Sequence, residues 1–260
     1  MYVMKKDLSI RQKRELHWLL NEKYGGRESA AFYRDTTRIM KGEPVDYVIG
    51  FSPFLGATID LSYKPLIPRP ETEYWVECAI EGITKKHGEN ARLRFLDMCA
   101  GSGCIGIALA THFPKSVVHF GEVSLDALAQ IRKNCRLNGL KGLRIKVIKS
   151  DLFSKIKGEY DYIFVNPPYL TRDRKMTTVQ RSVLLWEPAV AIFAKKKGLG
   201  HIFGILDGAR EHLRTGGWLY IEFDPWQRKE IASHARQHDF SHIVFQKDQY
   251  KRTRVFAGKT

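Results

Sequence analysis

The chain has 260 residues and is 43% hydrophobic, enough to build a full core as one large domain or a large domain with a small one. No apolar run approaches ~20 residues, so no membrane span is expected. Its net charge of +15, from 43 Lys+Arg against 28 Asp+Glu, points to an acidic partner or to RNA or ribosome contact through a basic surface.

Charged, helix-prone sequence follows Met1-Tyr-Val-Met-Lys-Lys-Asp7, where a signal peptide would carry an apolar stretch. Cys78, Cys99, Cys104 and Cys135 form no CxxC pair and no ligand spacing with a histidine, so reduced thiols, no metal site and a cytoplasmic protein are expected. From Leu8 to about Lys41 the apolar spacing is helical, with Gly25-Gly26 as a break; this predicts a small helical lobe over residues 1–45. Gly42 to Gly50 reads as a turn and a short strand. Phe54-Leu-Gly-Ala-Thr-Ile-Asp-Leu61 reads as a β-hairpin, giving a linker over 46–66. In Leu66-Ile-Pro-Arg-Pro-Glu-Thr-Glu73 the prolines stiffen the loop, and Pro70 suits the first turn of a helix from Glu71 to about Lys85. Arg69 would then stand in the wall of a site, near substrate or cofactor.

Over 67–260 strands and helices alternate. Strands are expected at 93–98, 117–122, 143–149, 161–165, 218–223, 240–246 and 252–257, and helices at 104–113, 124–138, 201–214 and 227–238. This pattern predicts an α/β fold, a Rossmann-like doubly wound sheet with helices on both faces. Such sheets bind ligands at the carboxyl ends of their strands. The glycine-rich turn Asp97-Met-Cys-Ala-Gly-Ser-Gly103 lies there: Cys99, Ala100 and Ser102 are small, and Gly101 and Gly103 allow close approach of a ligand. It is neither GxGxxG nor a phosphate loop, which favours a nucleoside ligand without phosphates. Glu122 ends the second strand, placed to accept two ribose hydroxyls, and Asp151 ends the third, placed to accept an adenine amine. Together these outline an S-adenosyl-L-methionine site.

The fourth strand ends in Asn166-Pro-Pro-Tyr169. Pro167 and Pro168 donate no N–H and stop the ladder, and a residue before proline is held extended, so the direction of Asn166 is largely set. The Asn166 side-chain oxygen, the Pro167 carbonyl and the Tyr169 ring suit a planar group bearing NH2. Its nitrogen is a poor nucleophile because the lone pair is delocalised. Two acceptors would aim that lone pair at an electrophile. No side chain is an evident general base.

These motifs, with Gly42-Glu-Pro-Val-Asp-Tyr-Val-Ile-Gly50, Asp151-Leu-Phe153, Glu187-Pro188 and Asp248 to Gly258, resemble those of the glutamine N5-methyltransferases that modify peptide chain release factors. The resemblance implies a Rossmann-like domain holding the methyl donor at residues 99–103, Glu122, Leu152 and Asn166. It implies that Asn166 and Pro167 hold the side-chain amide of the Gln in a Gly-Gly-Gln loop of a class 1 release factor, and that the N-terminal lobe helps grip that protein. A monomer is expected. Cys99 stands where the family has glycine, Glu122 replaces the commoner Asp, and Lys195-Lys-Lys197 makes a basic insert. The alternative is an adenine-N6 methyltransferase acting on RNA or DNA, which shares Asn-Pro-Pro-Tyr; the 29 residues from Leu170 to Gly198 are too few for a target-recognition domain.

Overall fold

A computed structural model of the chain describes residues 8–171 and 181–260. Residues 1–7 of the expected lobe and 172–180 of the segment from Leu170 to Gly198 lie outside the described residues.

The lobe has its own small core. Helix α1 (Ile10–Tyr24) starts at a capping box between Ser9 and Gln12 and stops where Gly25 turns left-handed. Helix α2 (Ala30–Met40) starts at Ser29, whose hydroxyl accepts from Phe32 N–H. A third helix, α3 (Val45–Ile49), replaces the short strand expected before Gly50. Its β-branched residues favour a strand, but Pro44 precedes it, Asp46 sits in its first turn, and Gly50 at φ +103° donates to Asp46 O at 2.7 Å. Val45 and Val48 then bury against Leu19, Phe32 and Ile39, and that packing overrides propensity. Lys23 of α1 pairs with Asp35 of α2 at 2.7 Å, and Arg38 of α2 pairs with Glu43 in the turn before α3 at 2.9 Å.

The expected hairpin is present as β1 (Phe51–Phe54) and β2 (Ala57–Asp60). Leu55 and Gly56 both have positive φ, as a two-residue mirror-image turn requires. The outer edge of β2 is covered by side-chain amides. Asn134 Oδ1 accepts from Asp60 N–H at 2.9 Å and Asn138 Oδ1 from Thr58 N–H at 3.0 Å, while Gln130 Oε1 accepts from Tyr63 N–H at 2.9 Å. These three amides sit four residues apart on helix α6 (Leu125–Leu137 with its Asn138 cap), so they share one face.

The large unit is a seven-stranded sheet in the order β5-β4-β3-β6-β7-β9-β8. Its strands are β3 (Arg94–Met98), β4 (Val117–Glu122), β5 (Ile145–Lys149), β6 (Tyr160–Val165), β7 (Leu213–Glu222), β8 (His242–Lys247) and β9 (Thr253–Lys259). All pairs are parallel except those of β9, which runs against both β7 and β8. Period-2 alternation splits the apolar residues between two cores. Phe95, Tyr162 and Phe164 face α4 (Pro70–His87), α5 (Cys104–His112) and α6, while Leu96, Ile163, Val165 and Ile221 face α9 (Gly200–Ala209) and α10 (Arg228–Gln237), which follow the short helices α7 (Arg181–Trp186) and α8 (Ala189–Ile192). The chain crosses from β5 over to β6 on the far side of β3, so the switch point lies between β3 and β6. The helix expected to run to Arg214 ends earlier, since Leu213 already pairs with Tyr160 and buries as the first residue of β7. No helix among the described residues is long and apolar enough to cross a membrane.

Candidate active site

At the carboxyl ends of β3, β4, β5 and β6 one cleft brings most of the expected residues together. Its lining includes Arg69, Thr72, the turn from Asp97 to Ser102, Glu122, Asp126, Asp151, Leu152, Asn166, Pro168 and His201. Gly103 is the N-cap of α5, at φ +80°. Pro167 and Tyr169 do not line the cleft; Tyr169 packs beside the second core cluster and donates its hydroxyl to Glu222 Oε1 at 3.0 Å. Burial, then the nearby Glu222 carboxylate, holds the Tyr169 phenol well above its ordinary pKa.

The glycine turn is stapled from both sides. Asp97 is buried and its Oδ2 accepts from Gly106 N–H at 2.8 Å, fixing the start of α5. Burial pushes its carboxyl well above the ordinary range. Glu122 Oε2 accepts from Gly101 N–H at 2.9 Å, while Oε1 accepts from Val123 and Ser124 N–H at 2.8 and 2.9 Å. Asn134 Nδ2 donates to Ser102 O at 2.9 Å, so the face of α6 that covers the hairpin also holds this turn. A Cβ on Gly101 would meet nothing within 4 Å, so the concave side of the turn is open to a ligand. An open apolar cleft with Glu122 and Asp151 at successive strand ends fits a nucleoside with free hydroxyls and an amine.

Cys99 adopts φ +55°. The turn therefore keeps its left-handed shape at the cost of a Cβ, about 1 kcal/mol. Glycine is thus expected to be more stable than alanine here by ~1 kcal/mol, the reverse of their usual order. Thermal melts of Cys99→Gly and Cys99→Ala compare them directly; equal or inverted Tm values would show that the turn is unstrained.

Arg69 is held by Glu187, whose Oε1 accepts from its guanidinium at 2.6 Å and whose Oε2 accepts from Ile67 N–H at 3.1 Å. Burial raises the Glu187 pKa, and the Arg69 guanidinium opposes that rise. Both residues fall in quoted motifs, but nothing in the sequence pairs them.

Four contributors escaped sequence reasoning. Thr72 and Trp75 donate to Glu222 Oε2 at 2.7 and 2.8 Å, and Asn166 Nδ2 donates to Thr72 Oγ1 at 3.1 Å. His201 stands in the cleft wall with a buried Nδ1 that has no partner among the described residues. Thr72 lies inside the Pro-Arg loop motif, which was the available signal; Glu222 reads locally as an ordinary strand end. Away from the lining, Asp207, His234 and His238 bring three ligand-type atoms within 4.8 Å. There both imidazoles meet Asp207 Oδ1, at 2.5 and 3.2 Å, linking α9 to α10.

A doubly wound sheet that gathers a glycine turn, a strand-end carboxylate and Asn-Pro-Pro-Tyr at its switch point defines a methyltransferase. The sequence model described as "Methyltransferase small domain" matches residues 81–190. The release factor glutamine methyltransferase of Borreliella burgdorferi is 34% identical over 230 residues, 88% of this chain and 77% of that protein. The release factor glutamine methyltransferase of Lactococcus lactis is 32% identical over 227 residues, 86% of this chain and 81% of that one. The chain belongs to the release factor glutamine methyltransferase family. A solved methyltransferase from Pyrococcus furiosus superposes with a TM-score of 0.58 at 16% identity, covering 87% of this chain and 98% of that one, which supports the fold alone.

Proposed function

We propose that this chain methylates the side-chain amide nitrogen of the glutamine in the Gly-Gly-Gln loop of a class 1 peptide chain release factor, using S-adenosyl-L-methionine. The observation that carries the reading is the meeting of Asn166 with the glycine turn and Glu122 in one cleft, in a chain whose relatives bear that name. When bound, S-adenosyl-L-methionine supplies an electrophilic methyl group on a sulfonium. Residues 99–103, with Gly101 at the centre of the turn, would hold it, with Asp97 and Glu122 shaping that turn. Glu122 and Asp126 would serve the ribose hydroxyls, and Asp151 and Leu152 the adenine.

Asn166 Oδ1 accepts one N–H of the substrate amide, which turns the nitrogen lone pair toward the methyl group. Pro167 and Tyr169 act from behind the cleft, Pro167 by holding Asn166 extended and Tyr169 by anchoring the loop on Glu222, while Pro168 and Arg69 face the incoming loop. The nitrogen held by Asn166 would accept the methyl group that the donor supplies, and the amide proton would leave to water. Orientation and fixed dipoles of this kind lower a barrier by several kcal/mol, roughly 3 or more.

The helical lobe (1–45) and hairpin (46–66) grip the release factor, and 67–260 performs the transfer in a cytoplasmic monomer. The exposed Lys195, Lys196 and Lys197 extend a basic surface that suits RNA or ribosome contact. The test is methyl transfer from labelled donor to a class 1 release factor, to its Gly-Gly-Gln variant with alanine for glutamine, and to RNA and DNA. Label on the wild-type factor alone supports the reading. Label on nucleic acid instead replaces it with adenine-N6 transfer.

A further inference from the structure

We propose that Thr72 and Glu222 form a hydrogen-bond relay that decides which end of the Asn166 amide faces the substrate, making both positioning residues for the transfer. The inference rests on the glutamine reading above. Thr72 and Trp75 lie three apart in the first turns of α4 and so share a face. Glu222 ends β7, whose Ile221 pairs with Val165 of β6, so Glu222 stands beside Asn166. The three elements meet at one buried carboxylate, 2% exposed.

The directions of these hydrogen bonds follow from what each group is able to do. An indole N–H donates only, and an ionised carboxylate accepts only. The Thr72 hydroxyl has one proton, and at 2.7 Å from Glu222 Oε2 that proton is committed to the carboxylate. Toward Asn166, 3.1 Å away, Thr72 Oγ1 therefore has only lone pairs to offer. The end of the Asn166 amide that meets it must be the NH2. Oδ1 is left for the cleft, where an acceptor for a substrate N–H is required. Without the relay the amide has no preferred sense, and in the flipped sense its NH2 opposes the NH2 of the substrate.

Three variants test this. Thr72→Val keeps the shape and removes the acceptor. Thr72→Ser keeps the hydroxyl. Glu222→Gln is isosteric and keeps the sense of the relay: its oxygen still accepts from Thr72 and Trp75, because an NH2 there would face the Trp75 indole N–H, and its NH2 falls toward the Tyr169 hydroxyl, which is able to accept. Thr72→Val is expected to lose roughly 100-fold in kcat on a release factor, while Glu222→Gln, which still accepts the Thr72 proton, stays within about tenfold of wild type. Donor affinity should stay within about threefold, since the relay makes no hydrogen bond to the glycine turn or to Glu122. Thr72→Ser is expected to restore kcat to within about tenfold of wild type. Wild-type kcat in Thr72→Val, an equal loss in Thr72→Ser, or a matching loss of donor affinity would each overturn the relay. If Glu222→Gln fails to fold, the Val/Ser pair still decides. Asn166→Ala separates the two levels: if it is inactive while Thr72→Val is fully active, only the relay fails; if it is fully active, the reading of Asn166 itself fails.

Discussion

Asn166→Ala lowers kcat by at least about 10²–10³-fold while S-adenosyl-L-methionine binds with nearly wild-type affinity; this is the largest effect on chemistry expected for a single side chain here. The reasoning is that Oδ1 acts on the acceptor nitrogen. The turn at 99–102, Glu122 and Leu152 line the same cleft as Asn166, and in the proposed reading they hold the donor without help from the Asn166 oxygen. Removing the amide leaves Thr72 Oγ1 without its 3.1 Å partner, a local loss beside a cleft that water can enter. Paired measurements of kcat and of donor binding by calorimetry check it. A variant that methylates as fast as wild type would remove Asn166 from the mechanism. One that loses donor binding in parallel would make it a cofactor residue.

Glu122→Gln weakens donor binding by about 10- to 100-fold with a smaller change in kcat at saturating donor. The carboxylate accepts three backbone N–H groups, from Gly101, Val123 and Ser124. An amide has only one oxygen. If it serves Val123 and Ser124, its NH2 faces Gly101 N–H, donor against donor, and the turn is pushed out of place. Leaving one such group unsatisfied costs about 1–3 kcal/mol, which converts to the stated range. Unchanged donor affinity would show that the turn holds its shape without Glu122.

The meeting of the glycine turn with the strand-end carboxylates was legible because these parts lie close together in the sequence. Asp97, Gly101 and Gly103 share one strand-to-helix turn, and Glu122 and Asp151 follow at the next strand ends. On the other side of the cleft only Asn166-Pro-Pro-Tyr169 was legible, where prolines impose their geometry locally. The contacts behind it were not. Thr72 and Glu222 are 150 positions apart, and Arg69 and Glu187 are 118 apart, so pattern alone cannot join them. The misread elements have the same origin. Val45-Asp-Tyr-Val-Ile49 carries strand-favouring residues that tertiary packing holds as α3, and Arg210 to Arg214 continues a helical pattern that pairing with Tyr160 interrupts at Leu213. The spacing of Gln130, Asn134 and Asn138 was visible, but its use against the hairpin edge needed β2 to be in place.

The Thr72–Glu222 contact also bears on how the protein is made. A chain emerging from the ribosome has already released the glycine turn and Asn-Pro-Pro-Tyr when β7 is still being synthesised. Until Glu222 clears the exit tunnel, Thr72 and Trp75 lack their shared acceptor, and the half of the cleft that receives the acceptor amide lacks its anchor. Closing so long a loop is a late and slow event. Nascent fragments ending before residue 222 would thus carry the donor-binding turn without a competent acceptor site, and methyl transfer would begin only once β7 joins the sheet.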